Sequence, residues 1–233
     1  MSTSKLESMS IWGHINELRK RLFIAVGALA ITTIISFALV PFLLNIITKP
    51  VGGLQNLQSI EMTENIGVFM RLSMLSGFIF AFPIILGELL AFVAPGLNQR
   101  EKRWIFITIP IATILFLSGV AFAYFVMLPV AVPYLINFLG VPTTPRLLSY
   151  TKFTTSLIFW LGIGFELPIV VFALAKFKIV TPKMLLKQWR IAIVIIAVLA
   201  AAITPTVDPV NMAILMVPLF VLYLLSVLFA FFA

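Results

Sequence analysis

Glu17 and Glu101 are carboxylates set among cations, in His14-Ile15-Asn16-Glu17-Leu18-Arg19-Lys20-Arg21-Leu22 and in Arg100-Glu101-Lys102-Arg103. An acid so placed has two fates open to it. It can close an internal ion pair, such as Glu17 with Arg21 at i,i+4, which contributes about 0.3–0.5 kcal/mol when exposed. Or it can take a guanidinium from outside, through bidentate charge-assisted bonds of about 1.5–3 kcal/mol each that a lysine matches poorly. The cationic surroundings repel arginine in general, so selectivity for it would rest on the geometry of the acids alone.

Residues for catalysis are missing. His14 is the single histidine, Asp208 the single aspartate, and cysteine is absent. That removes His-Glu-x-x-His zinc sites, thiol chemistry, a serine–histidine dyad within the membrane and a paired-aspartate protease. No glycine-rich phosphate loop occurs either. The chain reads as a non-enzyme without metal or cofactor, which leaves transport, channel formation or recognition.

The elements that position these residues follow from composition. With 62% hydrophobic and 10% charged residues among 233, there are too few polar side chains to cover a water-facing surface. A mean hydropathy of +1.17 agrees with a membrane protein. A spanning helix needs about 20 apolar residues, and the runs are continuous rather than alternating, which disfavours a barrel. The expectation is an all-α polytopic protein, one transmembrane domain over 1–233, with six helices near 22–44, 68–92, 104–128, 153–175, 191–203 and 210–232. The first apolar run is too long for a cleavable leader and is expected to stay.

The net charge of +8 would suit nucleic acid in a soluble chain, but here its distribution sets topology instead, and no nucleic-acid partner is expected. Lys5, Arg19, Lys20, Arg21, Arg100, Lys102, Arg103, Lys176, Lys178, Lys183, Lys187 and Arg190 fall on one side. Only Lys49, Arg71, Arg146 and Lys152 fall on the other. The positive-inside rule then puts both termini in the cytoplasm. The outer loops 45–67 and 129–152 carry Pro50, Pro133, Pro142 and Pro145 with apolar runs, as short capping helices would. The fifth and sixth spans are expected to be short. For 191–203, about 20 Å long before Thr204-Pro205, either the bilayer thins or the helix extends with Lys187 and Arg190 snorkelling.

Inside the spans one acid stands out. Glu166, in Gly162-Ile163-Gly164-Phe165-Glu166-Leu167-Pro168, sits near mid-bilayer, where an ionised carboxylate costs at least about 2.5–3.5 kcal/mol. Pro168 and the two glycines predict a kink that opens a polar, concave wall, or the acid is hydrogen-bonded to a neighbouring helix. Glu88 lies a turn from the inner interface and reads as a snorkelling bystander. Ser73, Gly77 and Ala81 form a small-residue stripe for close helix packing.

Several spaced motifs then carry a family likeness. His14 to Leu22, Ala91-Phe92-Val93-Ala94-Pro95-Gly96-Leu97 with Glu101-Lys102-Arg103, Gly119 to Phe125, Phe165-Glu166-Leu167-Pro168, and Thr204-Pro205 with Asp208 together resemble TatC, the multispanning subunit of the twin-arginine protein translocase. The likeness covers nearly the whole chain. It implies a curved, cupped six-helix bundle in the bacterial cytoplasmic (inner) membrane, acting as receptor for folded cargo whose signal peptides carry paired arginines. It further implies an oligomeric complex in membrane lipid with small single-span subunits of the TatA and TatB type, driven by the proton-motive force. By resemblance, the signal-peptide site maps to Glu17, Arg19, Phe92 and Glu101, the intramembrane acid to Glu166, the partner-subunit patch to Thr204 and Asp208, and the structural outer-loop proline to Pro50. Gly87-Glu88-Leu89-Leu90 departs from the family pattern and receives no recognition role. The competing reading is a proton-coupled small-solute secondary transporter or channel with Glu166 as proton carrier, though neither a repeat nor a second ion ligand supports it.

Overall fold

The computed structural model describes residues 11–93, 99–137, 140, 143–203 and 209–232. Among them the structure is helical, and the one β pairing is an isolated bridge between Gln58 and Arg146. Five runs are long and apolar enough to cross a bilayer: Trp12–Phe37, Glu64–Phe92, Ile107–Ile136, Leu147–Lys176 and Met212–Phe231. Trp189–Ile203 is apolar but has 15 residues, about 22 Å of helix against a hydrocarbon core of about 30 Å.

Helix α1 (Ile11–Phe37) stops where Pro41 removes the N–H that would bond the carbonyl of Phe37, and α2 (Val40–Thr48) continues at a new angle. The expected span 22–44 is therefore corrected: the helix begins eleven residues earlier and breaks before the end. The turns Lys49–Val51 and Leu54–Asn56 follow, with Gly52 and Gly53 at φ of 88° and 106°, left-handed values that favour glycine. Pro50 sits at the start of that first turn. The expected short helices are present in this loop as two single turns, whereas in 129–152 the helix α5 (Leu128–Ile136) continues the apolar run Ile107–Ile136.

Helix α3 (Glu64–Val93) packs antiparallel to α1 along its length. Phe37 stacks on Phe69 at 5.3 Å, and His14 stacks on Phe92 at 4.4 Å at the opposite end. Between them the backbones nearly touch, because a Cβ on Gly77 would lie 2.7 Å from the Cα of Thr33. The Thr32 hydroxyl donates to the Gly77 carbonyl at 2.8 Å. Ser73 and Ala81 are fully buried, so the small-residue stripe does the packing expected of it.

Helix α4 (Gln99–Phe122) runs through a π-helical stretch, Ala123–Met127, into α5. That stretch brings the Tyr124 hydroxyl onto the Ile46 carbonyl at 2.8 Å. Helix α6 (Leu147–Gly164) ends where Pro168 cannot donate to Gly164, and α7 (Leu167–Lys176) restarts beyond Glu166. The short α8 (Pro182–Lys187) is capped by the Thr181 hydroxyl, which accepts from the Met184 N–H at 3.2 Å. Helix α9 (Trp189–Ile203) is separate from it, so the short span is not prolonged by a continuous helix. Helix α10 (Pro209–Phe231) has 23 residues and absorbs Pro218 within it; its apolar run Met212–Phe231, of 20 residues, is shorter than the 26 to 30 of the other four long runs.

The core lies between α4, α5, α6, α9 and α10, around Leu128, Leu157, Leu161, Leu215 and Leu219. At the other edge, Arg146 ahead of α6 pairs with Glu61 at 2.7 Å and with Glu64 of α3. Glu64 is completely buried there, and its second oxygen accepts from the Ile60 N–H at 3.0 Å. With the Leu147 N–H donating to the Gln58 carbonyl at 2.8 Å, this clasp ties the loop after α2 to α6.

Candidate functional site

The first turns of α1 and the last turns of α3 meet at one end of the bundle, and the ionisable residues gather at that junction. Arg21 of α1 donates to Glu17 at 3.3 Å and to Glu88 of α3 at 2.9 Å. Helical geometry requires the first contact, since four residues is about one turn. The second depends on the antiparallel pairing, which brings position 21 level with position 88. Glu88 is therefore not a bystander at the interface, as its position alone suggested; it closes the α1–α3 junction.

Glu17 is only half engaged. One oxygen accepts from Arg21, while Oε2 is shielded from solvent and has no hydrogen-bond partner among the described residues. A shielded carboxylate oxygen left without a donor is costly, so a small rotation of the side chain toward any N–H donor is favoured. Asn16, Glu17, Lys20, Arg21 and Ile24 line a hollow of about 560 Å³. The arrangement is a carboxylate held in register by Arg21 and flanked by Lys20.

The other expected recognition residues divide around this junction. Phe92 joins it, because His14, one turn before Glu17, stacks on its ring. Arg19 does not, since two residues along a helix place it on nearly the opposite face, and its guanidinium lies 5.7 Å from the Phe23 ring centroid. Glu101 falls in the first turn of α4, which opens six residues after α3 ends, so it belongs to the same end of the bundle. Its side chain lies outside what is described.

Glu166 occupies the break between α6 and α7. Its carbonyl accepts from Ile169 and Val170 at 3.1 and 3.0 Å, restarting the helix, while its side chain is buried and Oε1 lacks a partner among the described residues. The expected open, polar wall is corrected in one respect. Gly162 and Gly164 do not widen a gap: a Cβ on Gly162 would meet the Phe116 ring at 2.7 Å, and one on Gly164 would meet Leu219 at 3.1 Å. The glycines instead admit α4 and α10, and the break is closed over. Thr204 and Asp208 lie outside the described residues.

The sequence comparisons bear on this geometry directly. A family model described as the Sec-independent protein translocase protein TatC matches residues 13–218. The chain belongs to the TatC family. The Sec-independent protein translocase protein TatC of Carboxydothermus hydrogenoformans is 36% identical over 225 residues, 95% of this chain and 93% of that protein. Its counterpart in Deinococcus radiodurans is 36% identical over 232 residues, covering 96% and 86%. A crystal structure of the twin-arginine translocase receptor TatC superposes with a TM-score of 0.82 at 32% identity, covering 94% of this chain and 98% of that one.

TatC membership covers every expected site residue, since 13–218 runs from before Glu17 to beyond Asp208. It leaves two features that sequence reasoning missed. The link from Arg21 to Glu88 was readable in part, because Glu88 is the acid nearest the inner end of its span and Arg21 the last cation before the first. The clasp of Arg146 with Glu61 and Glu64 required the folded loop. No local spacing announces it.

Proposed function

We propose that this TatC family member is the receptor and core subunit of a Sec-independent twin-arginine translocase, which recognises signal peptides with paired arginines and organises partner subunits for export of folded proteins. The observation that carries the reading is Glu17, which lines a hollow and has one carboxylate oxygen without a partner among the described residues, at the end of the bundle where Phe92 and the first turn of α4 lie. One arginine of the leader docks on Glu17 and the other on Glu101, with Phe92 packing against the peptide. Arg19, directed elsewhere along α1, acts through the general field rather than by contact.

The remaining parts of the reading follow. The chain forms one domain of six spans, α9 being the short one, with both termini in the cytoplasm of a bacterium and the bundle in its inner membrane. Local bilayer thinning around α9 accommodates the shortfall of length. Thr204 and Asp208, in the turn after α9, receive the single-span partners of the TatA and TatB type, and Pro50 fixes the outer-loop turn. The apolar part of the inserted leader reaches Glu166 when the packing of α4 and α10 over the break opens. The role is binding and assembly; it calls on no cofactor and no metal.

Photo-crosslinkers carried by a twin-arginine leader test the site. Adducts at positions 17, 92 and 101 are expected; adducts confined to α9 and α10 would contradict it. For the intramembrane step, Glu166→Ala is expected to reduce crosslinks from the leader's apolar stretch, and unchanged crosslinks with unchanged export would remove Glu166 from the mechanism.

A further inference from the structure

Arg71 is a cation within a spanning helix. It lies seven residues along α3 from Glu64, about 10 Å, and its side chain is exposed rather than packed into the bundle. Arginine at such a depth normally finds an acid, a polar cavity or the water interface. The acids at its own end, Glu61 and Glu64, are taken by Arg146, and among the described residues no carboxylate pairs with Arg71.

What Arg71 does border is a cavity of about 280 Å³ between α1, α3 and α6, whose walls include Phe78, Phe159, Trp160 and the Ser156 side chain. Thr155 donates its own proton to the Thr151 carbonyl at 2.7 Å, whereas the Ser156 hydroxyl makes no hydrogen bond among the described residues. Lys152, exposed and one turn before Ser156, adds a second cation to that face of α6. Arg71 and the Ser156 hydroxyl thus line an open aromatic trough, with Lys152 one turn away on α6.

We propose that Arg71, with Lys152 and Ser156, holds the phosphodiester headgroup of an anionic phospholipid in the leaflet on the Glu64 side. One acyl chain lies along Phe78, Phe159 and Trp160. The charge calls for an anion, and the guanidinium fork suits phosphate oxygens bidentately. A lipid satisfies the cation, the hydroxyl and the apolar wall together.

Native mass spectrometry of the full chain from mixed phosphatidylglycerol and phosphatidylcholine nanodiscs tests this. The unaltered chain is expected to retain phosphatidylglycerol preferentially, Arg71→Gln to bind it about tenfold more weakly, and Lys49→Gln, at the same end, to behave as the unaltered chain. Equal retention by Arg71→Gln, or equal retention of phosphatidylcholine by the unaltered chain, would overturn the proposal. A photo-crosslinking residue in place of Ser156, with Arg71 intact, gives a second reading in native membranes. Phospholipid adducts support the site; adducts to a second copy or to a single-span helix overturn it.

Discussion

Glu17 makes the plainest demand at the level of single residues, because its two oxygens have different surroundings. Replacing it with Gln keeps the shape and the link to Arg21 but removes the charge that a guanidinium needs. Glu17→Gln is expected to weaken binding of a twin-arginine peptide by about tenfold, measured by titration in nanodiscs; an unchanged affinity would leave the shielded oxygen without a role. Arg146 makes a second demand. It is the charge partner of the fully buried Glu64, so Arg146→Met strands that carboxylate with one backbone donor and is expected to cost about 3 kcal/mol or more, read as a lowered melting temperature in detergent. The residue types were legible in the sequence: the acids among cations, the lone histidine, the mid-span glutamate. Their pairings were only partly so. Glu17 with Arg21 follows from one helical turn, whereas Arg21 with Glu88 and Arg146 with Glu64 depend on which helices lie side by side.

For the helices, the prolines decide where each ends and the glycines decide how closely neighbours approach. Pro41 and Pro168 each end a helix four residues earlier, at Phe37 and Gly164. The rule was available from sequence; it was applied at Pro168 as a kink and missed at Pro41, where the apolar run continues through the break and conceals it. The glycines at 162 and 164 were misread because a missing side chain signals either a gap or a close contact, and only the neighbour tells which. Gly77 belongs to the contact class. Gly77→Ala sets a methyl 2.7 Å from the Thr33 Cα and is expected to cost about 1–3 kcal/mol by forcing α1 from α3. A thermal melt of the purified chain measures it, and no change would mean that the two helices separate freely. Because the Arg21–Glu88 link rides on the same pair of helices, the variant is also expected to weaken peptide binding.

Taken whole, the molecule is a helical membrane protein with a large apolar surface, and it carries ionisable side chains at the α1–α3 junction, the α6–α7 break, the Arg146 clasp and the trough beside Arg71. The helical class and most spans were legible from hydrophobicity, since burial in lipid demands long apolar runs and satisfied backbones. Depth and orientation relative to the bilayer come from charge asymmetry. Cysteine labelling from each side of the membrane is expected to reach position 178 from the cytoplasm and position 55 from the opposite face, and the reverse would invert the topology. The receptor role rests on a choice between two cations that differ in geometry rather than charge. The deciding measurement is the affinity of the full chain in nanodiscs for a twin-arginine signal peptide and for its Lys-Lys variant, at one ionic strength. A site that reads guanidinium geometry through Glu17 binds the arginine peptide at least about tenfold more tightly. Equal affinities would mean that only charge is sensed, and recognition by a placed acid pair would be wrong.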